Sequence, residues 1–169
     1  MEQAVDELDS VRQEYLALRE RCQGALLATL EADQTPSASY APLVWLNGQS
    51  YLFLSDLAGH TRNLKSCPSL GLMLIEGEDA SANAFARRRI TLQGEARMVE
   101  RGDPSFAPVL AEFHRRFGQV MAVLESLPDF HLFRLQLQRG RYIRGFGQAF
   151  ELSGEGLTQL DHINPANSA

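Results

Sequence analysis

YLFLSDLAGHTRNL, residues Tyr51 to Leu64, opens on a mostly apolar, β-prone run and passes through Ser55 and Asp56 to the glycine of Ala58-Gly59-His60. Thr61 to Lys65 then reads as a short helix, so the segment is a strand ending in a polar loop at a helix N-terminus. Such a junction gathers free backbone N–H groups, the hydroxyls of Ser55 and Thr61, the His60 imidazole and the Arg62 guanidinium. That chemistry suits an anion such as a phosphate or a carboxylate. The same residues also read as a plain strand-to-helix turn capped by Ser55 or Thr61.

Upstream of this junction, Asn47-Gly48 is the strongest hairpin signal in the chain and leads into the strand Gln49 to Leu54. Ser37 to Leu46 reads as the strand before it, with Pro42 calling for an edge, a bulge or a bend. Ala25 to Glu31 reads as an earlier strand, joined through the polar turn Ala32 to Pro36. Ahead of these, Ala4 to Cys22 places Val5, Leu8, Val11, Tyr15, Leu18 and Cys22 on one helical face, and Gly24 ends the helix.

Downstream, Cys67-Pro68 stops the short helix and Leu70 to Glu76 reads as a buried strand. Gly77 to Ala86 is a small, polar loop. Arg87, Arg88 and Arg89 then run into ITLQGEARMV, a strand with Gly94 as a bulge candidate. These arginines read either as a solvated turn or as a group able to reach a bound anion in a bidentate contact. Gly102-Asp103-Pro104 predicts a helix with Asp103 at the N-cap and Pro104 at the first helical position. Phe106, Val109, Leu110, Phe113 and Phe117 share one face of that helix, and a shorter helix spans Gln119 to Leu127. Phe130 to Gln138 alternates as a strand, Arg139-Gly140 interrupts it, and RYIRGFGQAFEL continues to Leu152. Gly145 and Gly147 flank Phe146 there, which predicts either close approach of a flat ligand or backbone, or a β-bulge. Ser153 to Ala169 reads as a tail with one apolar knot, Leu157 to Ile163, that holds His162.

The 169 residues fit a single domain, 1–169, with a helix at 4–22, a barrel over about 24–152 and a tail from 153. A formal charge of −5 argues against nucleic-acid binding, which needs a basic face. Cys22 and Cys67 show neither a disulfide framework nor zinc-ligand spacing. No secretory signal and no membrane span is visible, so a cytoplasmic location is expected. No nucleophile triad, paired acid/base carboxylates or phosphate-binding glycine fingerprint is present. Antiparallel strands joined by hairpins, with a few helices outside them, predict a small closed barrel of the α+β class.

Three segments, FLSDLAGHTRNL, RRITLQGEA and RGRYIRGFGQAFEL, resemble the pyridoxamine 5'-phosphate oxidase-like, FMN-binding split-barrel superfamily. The glycine-flanked phenylalanine of the third resembles its haem-utilisation (HugZ/HutZ-type) branch. The resemblance implies a six-stranded, mostly antiparallel split β-barrel with peripheral helices, forming a homodimer with two ligand sites at the subunit interface. It also implies a cofactor site matching Ser55, His60, Thr61 and Arg62, with Arg88 and Arg89 on the later strand. In flavin-binding relatives these positions hold the FMN phosphate, but His60 stands where they commonly place a lysine, and a neutral imidazole is a weaker phosphate partner. In the haem branch the resemblance implies His162 as the axial iron ligand and Asp129 as the carboxylate that tunes it by hydrogen bonding. His131 and His114 match that role less well. The activity implied is haem binding with oxidative ring opening that releases iron; an FMN-dependent oxidoreductase and a non-catalytic haem carrier are the alternatives.

Overall fold

The computed structural model describes residues 2–81 and 83–163. Along the chain come helix α1 (Glu2–Arg21), strands β1 (Gly24–Leu30), β2 (Pro36–Leu46) and β3 (Gln49–Ser55), and helix α2 (Gly59–Ser66). Strands β4 (Ser69–Ile75) and β5 (Arg89–Val99) follow, then helices α3 (Phe106–Phe117) and α4 (Val120–Ser126). Strands β6 (Phe130–Gly145), β7 (Gln148–Ser153) and β8 (Gln159–His162) complete the order. One sheet runs β3-β2-β1-β4-β5-β6-β7-β8, and β3 also pairs with β6, which closes the first six strands into a ring. The expected six-stranded α+β barrel is therefore present, extended by β7 and β8. No helix among the described residues is long and apolar enough to cross a membrane.

The described residues fall into two compact units whose boundaries lie inside β4, β5 and β6. The first takes residues up to Cys22, Leu72–Gln93 and those from Leu137 onward; the second takes Gln23–Gly71 and Gly94–Gln136.

In the second unit, Asn47 (φ 52°) and Gly48 (φ 77°) form the tight turn between β2 and β3, in the left-handed backbone that Asn-Gly tolerates best. Pro42 is the last β2 residue paired with β1, and pairing with β3 begins at Leu43. Its missing N–H thus falls where β2 changes partner. Val44, Tyr51, Phe53 and Leu132 from the strands bury against Phe106, Val109, Leu110 and Phe113 of α3 and Met121 of α4. The helix α3 starts later than the sequence predicts: Ser105 occupies the N-cap position and makes no side-chain capping bond. Asp103 Oδ1 instead accepts from the Ser105 amide (2.8 Å) and hydroxyl (2.6 Å). The carboxylate is satisfied in this turn before the helix begins.

In the first unit, α1 buries Val11, Tyr15 and Leu18. Leu8 on the predicted face is 41% exposed, and the side chain of Val5 lies outside the described residues. The loop after β4 contains two 3-10 turns, Glu78–Ala80 and Ala84–Ala86. Three expectations for the C-terminal third are corrected. Arg139-Gly140 does not interrupt β6, because Gly140 is a packing glycine: a Cβ there would lie 2.4 Å from Leu92 Cδ2 and 2.8 Å from the Thr91 carbonyl oxygen. The strand does not run through Gly145-Phe146-Gly147: Gly145 closes β6 after a bulge-like register shift from Ile143, and Phe146 with Gly147 (φ 66°) turns the chain into β7. The predicted tail supplies β8, which pairs Phe150 with His162 and Leu152 with Leu160, because burying Leu157 and Leu160 favours order. Residues 164–169 of that tail lie outside the described residues.

Replacing Gly140 with alanine is expected to lower the unfolding free energy by about 1–3 kcal/mol through overpacking, measured by urea denaturation. The same change at the open, exposed Gly102, where an added Cβ meets nothing within 4 Å, is the matched control.

Candidate functional site

Antiparallel pairing of β3 with β6 places Ser55 opposite Phe130 and so brings Asp129 to the strand end. The Ser55 hydroxyl donates to Asp129 Oδ2 at 2.6 Å and accepts from the Leu57 amide at 3.1 Å. Thr61 is fully buried and donates to the Ser55 carbonyl at 2.6 Å. His60 Nδ1 shares a 2.9 Å hydrogen bond with Ser39 Oγ, and burial pushes its imidazole below the ordinary histidine range, so it stays neutral at pH 7. Arg62 reaches the carbonyls of Asp56 and Leu57 at 3.4 and 3.5 Å.

A second carboxylate completes this corner. Asp56 accepts from Lys65 Nζ at 2.5 Å and from His131 Nε2 at 2.8 Å. Those two partners, Lys65 first, hold its carboxyl below the usual aspartate range. Sequence reading grouped Ser55, His60, Thr61 and Arg62 as an anion site and set Asp129 apart as the partner of an iron ligand, whereas the second unit gathers all five. It missed Asp56, Lys65, His131 and Ser39, whose partnership depends on strand register rather than on any local motif.

Arg88, Arg89, Gly145, Gly147 and His162 belong to the first unit. Arg88 is engaged by Glu76, which is only 4% exposed and accepts from Arg88 Nε at 3.0 Å, from Arg88 Nη2, and from Arg21 at 3.3 Å. Hydrogen bonding from Arg88 holds the Glu76 carboxyl below its ordinary value near 4.5. Arg87 binds the Glu76 carbonyl at 2.5 Å and ion-pairs with Glu78. Arg89 donates to the Arg87 carbonyl at 3.0 Å and has no carboxylate partner among the described residues. An acidic residue closing the apolar strand LGLMLI, a dozen residues ahead of three arginines, was the available signal for this buried pair.

His162 is exposed at the end of β8 and has its ring edge-on to Phe150, with centroids 5.1 Å apart and planes at 82°. It shares a groove of about 310 Å³ with Glu7, Leu8, Val11, Arg144, Gln148 and Phe150. Arg144 is held there by a bidentate pair with Glu14, at 2.9 and 2.8 Å. No group of three or more metal-ligating side chains occurs among the described residues.

Residues 11–144 match the family model described as pyridoxamine 5'-phosphate oxidase. The chain belongs to this family. A relative named heme oxygenase HutZ, from Vibrio cholerae serotype O1 (strain ATCC 39315 / El Tor Inaba N16961), is 38% identical over 157 residues, covering 93% of this chain and 85% of that protein. The crystal structure of Campylobacter jejuni ChuZ superposes with a TM-score of 0.84 at 29% identity, over 93% of this chain and 65% of ChuZ. This chain therefore spans just under two thirds of ChuZ. A solved HutZ from Vibrio cholerae, there described as a heme storage protein, gives a TM-score of 0.71 at 37% identity, over 75% of this chain and 89% of that one. Within the family, the chain falls with the haem-utilisation branch.

The donor sets fit the two cofactors of the family unequally. At the Ser55 corner the hydroxyls of Ser55 and Thr61 are directed at protein acceptors, burial holds the His60 imidazole below the ordinary histidine range, and the carboxylates of Asp129 and Asp56 occupy Ser55 and Lys65. That arrangement does not fit a flavin phosphate. Beside His162 an imidazole with no hydrogen bond among the described residues, an apolar wall and a guanidinium fit a haem.

Because the folded-state pKa of Glu76 is depressed, its stabilisation is full above the unfolded value near 4.5 and is lost as pH falls through the folded value. Glu76→Gln is expected to cost about 1.5–3 kcal/mol at pH 7. The gap to the parent protein should narrow below pH 4, as read by thermal melts across that range.

Proposed function

We propose that this chain binds haem in the groove beside His162 and degrades it oxidatively, releasing iron. The observation that carries this reading is the position of His162 on strand β8, braced by Phe150 in a groove with an apolar side and a polar side that carries Arg144 and Glu7. The haem-oxygenase relative supports the same reading.

In this reading the His162 imidazole would ligate the iron, with the Phe150 ring packed edge-on against it. Leu8, Val11 and Phe150 would form the apolar wall against the macrocycle, and Gln148 with Arg144, which is paired to Glu14, would face its polar edge. Arg88 is neutralised by Glu76, so Arg89 is the better remaining member of the arginine run for a carboxylate arm of the macrocycle. Asp129 belongs to the second unit, where its Oδ2 accepts from the Ser55 hydroxyl. The bound haem itself supplies the oxidising chemistry with O₂ or peroxide. A groove of about 310 Å³ lies at the low end of ligand sites, which supports a homodimer in which a second copy completes the enclosure. A cytoplasmic location belongs to the same reading.

Hemin titration of the purified protein is expected to give a Soret band, and His162→Ala should shift that band and weaken binding at least tenfold. An identical band in the variant would remove His162 as the ligand. Loss of the band on adding ascorbate or peroxide marks degradation, a stable band marks a carrier, and co-purified flavin without hemin uptake would favour the flavin alternative.

A further inference from the structure

Two phenylalanines in the first unit are exposed where burial would be expected: Phe85 is 79% exposed and Phe146 70%. They come from separate segments, the 3-10 turn Ala84–Ala86 and the β6–β7 hairpin end, yet their ring centroids lie 6.4 Å apart with planes at 37°. Two large apolar rings held together in solvent cost free energy that neither segment recovers by itself.

The hairpin beneath Phe146 is already part of the haem groove, since Arg144 and Gln148 flank its tip and line that groove with Phe150 and His162. From the Phe150–His162 pair to the hairpin tip is three residue steps, or about 10 Å of strand, a span that a tetrapyrrole with its side arms can bridge. The Arg144–Glu14 bidentate pair anchors the base of the hairpin. Cβ atoms added at Gly145 or Gly147 would meet nothing within 4 Å, so open space borders both sides of Phe146. A positive φ accounts for Gly147. Close packing does not account for Gly145.

We propose that Phe85 and Phe146 form an aromatic platform against which the face of a bound porphyrin stacks, outward of the iron ligand. This rests on the haem reading above and adds to it a contact that is independent of the metal. The occupant is a flat, largely apolar macrocycle because the rings lie side by side at the tip of the hairpin whose strands line the groove, and that groove has an apolar wall and a polar one. Planarity, rather than iron, is what this platform recognises.

Metal-free protoporphyrin IX separates stacking from ligation. Its binding to the parent protein, followed by fluorescence, is expected to weaken about five- to tenfold in Phe85→Ala and in Phe146→Ala. Phe146→Trp should retain it, and His162→Ala should leave it within twofold. Both phenylalanines are exposed, so circular dichroism melts of the variants should superpose on the parent. Unchanged porphyrin affinity in both alanine variants, or no uptake of the metal-free ring by the parent protein, would overturn the platform. So would self-association abolished by Phe146→Asp with porphyrin binding intact, because the rings would then serve a second copy of the chain. Hemin binding that survives His162→Ala while porphyrin binding depends on the phenylalanines would sink the ligand assignment and leave the platform standing.

Discussion

The corner that resembles a flavin-phosphate site depends on hydrogen-bonded pairing between Ser50–Ser55 and Phe130–Leu135. Some eighty residues separate the two segments, so closing them into register carries a large entropic cost that short-range signals cannot offset. The pairing leaves β3 without a free edge and sets which side chains meet. It brings Asp129 to the Ser55 hydroxyl, lets the Asp56 amide donate to the Asp129 carbonyl at 2.9 Å, and stands His131 beside Asp56. A slip of one residue would turn each of these side chains to the opposite face.

Electrostatics then divides the two regions by purpose. In one, paired acids and a neutral histidine satisfy the hydroxyls and ammonium that an anion would need. A buried carboxylate, Glu76, likewise pairs with Arg88 of the arginine run and with Arg21 of α1. Around His162 the balance is different: an imidazole is left with ring contacts only, and the nearby guanidinium is fixed in place while remaining partly exposed. The region at His162 thus leaves an exposed imidazole against an aromatic ring, whereas the Ser55 corner is satisfied by its own protein partners.

Much of the barrel was legible because its signals are local. Asn47-Gly48 specifies its own turn, the alternation of FHLFRLQLQ specifies a half-buried strand, and Gly118 ends α3 at φ 71°. What escaped depends on distant partners. Gly140 looks like a break until Leu92 and the Thr91 carbonyl are seen pressing against it. Asp103 has the composition of a cap, but its carboxylate is taken up by Ser105. The segment around Leu160 is too short and polar to announce a strand, and gains order only by pairing with β7. At the site, Ser55, Asp56, His60, Thr61 and Arg62 were visible as one segment, whereas Asp129, Ser39 and His131, which bond to Ser55, His60 and Asp56, arrive from elsewhere in the chain.

The groove draws one wall from α1, through Leu8 and Val11, and another from β8, through His162. During synthesis these walls are made about 150 residues apart, which at about 5–20 residues per second is roughly 8–30 s. The helix must therefore wait with half of a cavity. Until β8 zips onto β7, a nascent chain presents the apolar strip of α1 without the wall that faces it. Assembly order thus makes the groove one of the last features to form, after the sheet that carries its second wall is complete.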